Sequence, residues 1–252
     1  MSDKPGNIFF ASDFHLGAPD YDSSRKREDK IVAWLNQIQP NLKELYLLGD
    51  IFDFWFEYKH VIPKGFIRLQ GKLAELSDAG IKIYIFKGNH DLWMKDYFTK
   101  ELNIEIIEKP IIKQFGNKSF YLAHGDGLGP GDLGFKFIKR IFIGKINKWL
   151  FRWLHPDIGI TLANFFSGKS RVKNYVVNDS FLGEDEWLVQ HARKVIEKHE
   201  VDFLLFGHRH YPKYYKLNDK SVYVNLGDMI SHNTYAEFDG EFLELKTFNY
   251  VQ

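Results

Sequence analysis

The chain has no cysteine. A disulfide and a thiolate metal site are therefore excluded, and any metal must draw its ligands from His, Asp, Asn or Glu. An excess of either charge is also missing. Lys and Arg number 34 against 33 Asp and Glu, a balance of +1, so no overall field steers the chain toward nucleic acid. No run of about 18 apolar residues occurs, which argues against a membrane-spanning helix. The first residues, MSDKPGNIFFAS, lack the long apolar stretch of a secretion signal, so a cytoplasmic location is expected. What is present is ordinary in bulk: 252 residues, 44% hydrophobic and 27% charged, which excludes disordered and low-complexity classes and fits one α/β domain over 1–252. Aromatic residues are the exception, at 17%.

Short apolar runs alternate with helical spacing. Ile8–Ala11, Leu45–Leu48 and Ile81–Phe86 read as buried strands, separated by helical patterns over 24–38 and 64–79. That β-α-β-α-β order predicts a largely parallel sheet with helical crossovers. Further on, Ser119–Ala123 and Asp202–Phe206 read as strands on either side of a helix at 184–199. Short strands near 221–225, 234–238 and 241–248 are expected to be antiparallel.

Five of these apolar runs stop at a small polar cluster: Asp13-Phe14-His15, Gly49-Asp50, Gly88-Asn89-His90-Asp91, His124-Gly125-Asp126 and Gly207-His208-Arg209-His210. Ligands of open α/β sheets bind beyond the carboxyl ends of strands, so the five clusters are expected to converge. Read as extended segments, the i, i+2 pairs Asp13/His15 and His208/His210 would each share a face. Five of the ten histidines lie in these clusters. Carboxylate, imidazole and one amide oxygen suit Mn²⁺, Fe²⁺, Zn²⁺ or Co²⁺ better than Ca²⁺. Seven candidates (Asp13, His15, Asp50, Asn89, His124, His208, His210) exceed the needs of one ion. They suffice for two ions sharing a bridging carboxylate, an arrangement that clamps both oxygens of an in-line phosphoryl displacement. Asp53 and Asp126 read equally well as supports for these ligands and as solvated surface. Lys169 sits in Ser-Gly-Lys-Ser without the upstream glycine of a P-loop, since position 163 is Ala.

The order Asp-x-His, Gly-Asp, Gly-Asn-His-Asp, His-Gly-Asp, Gly-His-x-His resembles the calcineurin-like metallophosphoesterase superfamily from Asp13 to His210. The resemblance implies a four-layer α/β/β/α sandwich. It implies one divalent ion on Asp13, His15, Asp50 and His210, and a second on Asp50, Asn89, His124 and His208, with Asp50 bridging. Mn²⁺ is the expected metal. His90 would protonate the leaving oxygen or bind phosphate, and Asp91 would orient it. A narrower similarity joins Ser-Asp-Phe-His-Leu-Gly (12–17), Gly-Asp-Ile-Phe-Asp-Phe-Trp (49–55) and His-Gly-Asp-Gly-Leu-Gly-Pro-Gly-Asp (124–132) to the UDP-2,3-diacylglucosamine diphosphatase family of lipid A biosynthesis. It implies a lipid-nucleotide substrate, cut to 2,3-diacylglucosamine 1-phosphate and UMP. Many proteobacterial members of that family carry Arg where this chain has His90. Another nucleotide or phosphodiester substrate remains the alternative reading.

Residues 133–178 carry nine basic side chains against one acid, Asp157, interleaved with aromatics. The segment reads as a helical cap insertion over the active site. Lys136, Arg140 and Lys169 are candidate phosphate contacts together with Asn89 and His90. The same composition suits peripheral contact with the cytoplasmic face of an anionic inner membrane. No nucleic-acid motif and no obligate protein partner is evident.

Overall fold

Strand β1 (Asn7–Ala11) sends Phe9 and Ala11 to one side and Ile8 and Phe10 to the other, the period-two alternation of a strand buried on both faces. The computed structural model describes residues 6–129, 144–162 and 180–250. Within them β1, β2 (Leu42–Leu47), β3 (Lys82–Phe86) and β4 (Glu105–Ile107) run parallel as neighbours, as the β-α-β-α-β pattern predicts. Strands β10 (Thr234–Phe238) and β11 (Leu243–Thr247) extend the other edge antiparallel, giving the order β11-β10-β1-β2-β3-β4. A second sheet holds β5 (Ile111–Phe115), β6 (Lys118–Ala123), β7 (Phe203–Phe206), β9 (Val222–Asn225) and β8 (Lys213–Lys216) in that spatial order.

The helices cover the outer faces. Helix α1 (Tyr21–Ile38) and α2 (Ile67–Asp78) present Ile31, Trp34, Leu35, Leu69, Leu73 and Leu76 to Phe9, Leu45, Leu47 and Ile85 of the first sheet. Phe98 of α3 (Tyr97–Leu102) joins the same cluster. Between the sheets Phe10 stacks on Tyr46 at 5.3 Å and on Phe120 at 5.7 Å, with Leu122, Leu205 and Phe238 around them. Behind the second sheet, α6 (Trp187–Ile196) packs Leu188, Val189, Ala192 and Val195 on Tyr121, Leu204 and Phe206. Helix, sheet, sheet, helix is the four-layer order the resemblance implies. Among the described residues many of the aromatic rings lie in the core, where each adds wide apolar contact and edge or stacked geometry.

The element ends have local causes. Helix α1 starts at Tyr21 rather than 24 because the Asp20 carboxylate accepts from Ser23 N at 2.8 Å, and it yields to a 3₁₀ turn containing Pro40. Helix α2 starts at Ile67 rather than 64 because Phe66 is held at φ 54°. A 3₁₀ turn, Gly183–Asp185, takes the first residues of the helix expected at 184–199. One expectation is corrected in part: β9 is antiparallel to β8, as expected, but parallel to β7, so it also extends the parallel core. Part of the predicted insertion is described. It holds α4 (Lys145–Arg152) and a helical run over 156–162, here α5.

Candidate metal centre

Six parallel strands, β1, β2, β3, β6, β7 and β9, end at the same rim, and the polar clusters follow them directly. The structure brings together all seven predicted ligands. Asp13, His15 and His210 offer ligand atoms within 4.8 Å of one another, and so do Asp50, His124 and His208. Asn89 joins the second group, its Oδ1 lying 3.2 Å from His124 Nε2. One Asp50 oxygen faces both groups, 3.6 Å from His15 Nε2 and 3.3 Å from His124 Nε2. It therefore occupies the place of a bridging carboxylate.

The loops are not extended, as the i, i+2 argument assumed. Asp13, His15, Asp50, His208 and His210 all have positive φ, between 44° and 68°. Left-handed backbone at a non-glycine residue costs about 1–3 kcal/mol and persists only where surrounding contacts enforce it. Here Asp13 N donates to Gly49 O and His15 N to Asp50 O, which ties the β1 loop to the β2 loop. Close approach also needs glycine. A Cβ on Gly88 would lie 2.2 Å from Asp50 Oδ1, and one on Gly49, at φ 91°, would lie 2.7 Å from His124 Nδ1.

The histidines are oriented from behind. His124 Nδ1 donates to Leu48 O at 2.7 Å and His90 Nδ1 donates to Asp53 O at 3.0 Å. His15 Nδ1 lies 3.3 Å from Asp53 Oδ1, and His210 Nδ1 lies 3.4 Å from Asp228 Oδ2. The Nε2 atoms of His15, His124 and His210 face the Asp13 and Asp50 oxygens of the centre. Asp53 thus supports both His15 and His90, resolving one of the two readings its position allowed. The fully buried Asp91, expected to orient His90, instead accepts from Gly88 N and Ile51 N at 2.8 Å each, and from Phe52 N at 3.4 Å. It pins the β2 loop to the β3 loop, while His90 Nδ1 is held by Asp53. Asp228 escaped the sequence reading. Its signal was there, since Leu226-Gly227-Asp228 after β9 repeats the pattern of Leu48-Gly49-Asp50.

The donor set fits divalent cations. Asp13 Oδ1 is buried without a hydrogen bond, and the Nε2 atoms of His15 and His210 face each other at 3.2 Å. Two imidazole lone pairs that close repel unless a cation or a proton lies between them. Protein charges show the same demand. Burial opposes a charge on His15, but Asp13, Asp53 and Asp50 outweigh it and push its pKa up to about 10. His124 is likewise pushed up to about 10 against burial, chiefly by Asp50. Burial and the neighbouring His124 bring His208 down to about 4. Burial also lowers His90. Asp50 stays well below the usual carboxylate range despite burial, because His124, His90 and His15 surround it.

The surroundings of the centre are uneven. A cleft of about 510 Å³ opens beside it, lined by Leu16, Asp53, Phe54, Ile62, Phe66 and Ile160 among others. Phe151 of α4 packs against Phe56 at 4.7 Å and Trp93 at 4.9 Å, so the described part of the insertion rests on the loops that carry Asp53 and His90. Lys136, Arg140 and Lys169 lie outside the described residues.

Residues 6–212 match the calcineurin-like phosphoesterase family. Among curated relatives, UDP-2,3-diacylglucosamine hydrolase of Porphyromonas gingivalis is 39% identical over 253 residues, spanning 95% of this chain and 97% of that protein. The protein of the same name from Pseudomonas putida is 27% identical over 246 residues, 96% and 99% of the two chains. A solved phosphoesterase from E. coli shares 14% identity at a TM-score of 0.42, covering 92% of this chain and 87% of its own. With the family match over residues 6–212 and 39% identity to a curated hydrolase across nearly its whole length, the chain is a hydrolase of the calcineurin-like phosphoesterase family.

Proposed function

We propose that the chain hydrolyses the pyrophosphate bond of UDP-2,3-diacylglucosamine, in lipid A biosynthesis, with two Mn²⁺ ions. The observation that carries the substrate is the 39% identity, across nearly both whole chains, to a protein named for that activity. Asp13, His15, Asp50 and His210 would hold one ion, and Asp50, Asn89, His124 and His208 the other. When bound, such a pair supplies hydroxide at neutral pH and neutralises charge on phosphoryl oxygens. A water oxygen adds to the uridylyl phosphorus, and the bond from that phosphorus to the lipid 1-phosphate oxygen breaks. UMP and 2,3-diacylglucosamine 1-phosphate result.

His90 contributes orientation more than acidity. Its Nδ1–H is committed to Asp53 O, so Nε2 presents a lone pair that accepts a hydrogen bond. The leaving group is a phosphate monoester, whose second pKa lies near 6, so it departs as an anion without a donated proton. The cleft bounded by Phe54, Ile62 and Phe66 gives apolar walls next to Asp53, suited to an acyl chain beside a charged headgroup. Residues 133–178 act as its cap, with Lys136, Arg140 and Lys169 as phosphate contacts.

The protein works at a membrane surface. No helix among the described residues is long and apolar enough to cross a bilayer. Yet α4, the turn that ends it and α5 expose Ile146, Trp149, Leu150, Trp153, Ile158 and Leu162, beside Lys148 and Arg152. Exposed Trp and Leu flanked by cations match peripheral docking on the anionic cytoplasmic face of an inner membrane. Two measurements test the reading. Purified protein with Mn²⁺ should release UMP from the lipid nucleotide, followed by ³¹P NMR. Turnover of bis-p-nitrophenyl phosphate with none of the lipid nucleotide would refute the substrate. The Trp149→Glu/Trp153→Glu double variant should lose co-sedimentation with anionic vesicles, and unchanged sedimentation would refute the docking face.

A further inference from the structure

We infer that Asp228 is a positioning residue for His210, fixing which ring nitrogen faces the metal centre. The inference rests on the metal-centre reading above. Packing holds His15 and His124 firmly, their side chains being 4% and 1% exposed, whereas the His210 side chain is 30% exposed. His210 also sits on strained backbone at φ 54°. Its ring orientation therefore depends on a specific partner rather than on enclosure. The carboxylate of Asp228 supplies it, with Oδ2 at 3.4 Å from Nδ1. A neutral imidazole has a single N–H. Held on Nδ1 by a carboxylate, that proton leaves Nε2 bare toward Asp13 Oδ1 at 3.3 Å and His15 Nε2 at 3.2 Å.

Asp228 is itself immobilised. Its Oδ1 accepts from Ile230 N, Ser231 N and His232 N at 2.9, 2.7 and 3.0 Å. Thr234 N donates to its carbonyl, and the neighbouring Met229 N donates to Asp13 O. The turn before it needs Gly227, where φ is 73° and a Cβ would lie 2.2 Å from Thr234 Oγ1. The two oxygens thus divide two tasks: Oδ1 caps the loop, and Oδ2 faces His210 and, at 3.3 Å, His232 Nδ1.

That division makes the inference testable without unfolding the protein. In Asp228→Asn the remaining oxygen still caps the loop, but the amide N–H₂ meets the imidazole N–H, donor against donor. The ring proton then moves to Nε2, the atom a metal needs bare. Titration of Mn²⁺ into metal-free full-length protein should show one of two sites weakened about 10–100-fold in Asp228→Asn, at a melting temperature within about 2 °C of wild type. Excess Mn²⁺ should restore kcat, with KM unaltered throughout. His232→Asn, altering the other ring on the same oxygen, should bind both ions as wild type does. Wild-type affinity at both sites in Asp228→Asn would overturn the inference and leave Asp228 a loop cap. A wild-type protein that takes up no Mn²⁺, Zn²⁺ or Fe²⁺ would overturn the metal centre and the inference with it, and the wild-type titration separates that failure from the first.

Discussion

Asp91→Ala separates a structural from a chemical role at the centre. In the wild type the carboxylate accepts two short hydrogen bonds, from Gly88 N and Ile51 N, and a longer one from Phe52 N. The alanine variant leaves both short-bonded donors unpaired in a fully buried site. Each orphan costs about 1–3 kcal/mol, so about 2–6 kcal/mol is at stake. One effect works against this. Burial and the charge of Asp50 push the Asp91 pKa up to about 7, and removing the carboxyl relieves that strain. The net loss then falls in the lower half of the range, about 2–4 kcal/mol. For a chain of this size that lowers the melting temperature by roughly 4–16 °C. Because Ile51 follows Asp50 and Gly88 precedes Asn89, Mn²⁺ affinity should fall in parallel. Differential scanning calorimetry and metal titration on the same samples give both numbers. An Asp91→Ala protein that melts with wild type and binds Mn²⁺ normally, yet has lost hydrolysis, would refute the reasoning and return Asp91 to the reaction itself.

Asp50→Ala removes the oxygen shared by His15 and His124, so bound metal should fall from two ions to one or none and hydrolysis should be lost. Metal analysis after dialysis checks it, with unchanged content counting against a bridging role. Proton linkage gives another test. His15 and His124 are both pushed up to about 10, so at pH 7 each carries a proton that an incoming cation must displace. Metal uptake should release about two protons and strengthen as pH rises from 6 to 9. Calorimetry in buffers of different ionisation enthalpy measures the release, and an affinity independent of pH would contradict protonation of His15 and His124 at neutral pH.

The parallel core and the seven candidate ligands were legible because each strand is an apolar run cut off by Asp, Asn or His, a contrast visible without any tertiary information. Strands β4, β5 and β8 and helix α3 were not. They are three to six residues long, and their half-exposed sides dilute periodicity. The supporting carboxylates were harder still. Asp53, Asp91 and Asp228 all lie in loops; Asp53 meets His90 37 residues away, and Asp91, besides the nearby Gly88, meets Ile51 40 residues away. Asp228 reaches His210 from the far side of β8 and β9 in the chain. Sequence shows that a carboxylate is present, while only folding decides which imidazole or N–H it meets.

The backbone at the candidate ligands is itself unusual. Five of the seven sit at positive φ, and a strand that simply ended in an extended turn would have pointed Asp13 and His15 the same way with no such cost. The left-handed residues turn the chain sharply, so that three loops from one sheet meet two from the other within a few ångströms. What enforces them is the mutual hydrogen bonding of those loops: His90 N to Asp50 Oδ1, His208 N to Asp13 Oδ2, and Asp13 N to Gly49 O. Each carboxylate oxygen used on a backbone N–H leaves its twin directed inward. Asp13 is the clearest case, with Oδ2 bonded and Oδ1 buried and bare. The bond that ties a loop of the second sheet to a loop of the first, His208 N to Asp13 Oδ2, therefore leaves an unsatisfied oxygen at their junction. A cation bound there completes the packing as well as the chemistry, so metal loading should stabilise the fold as a whole rather than the loops alone.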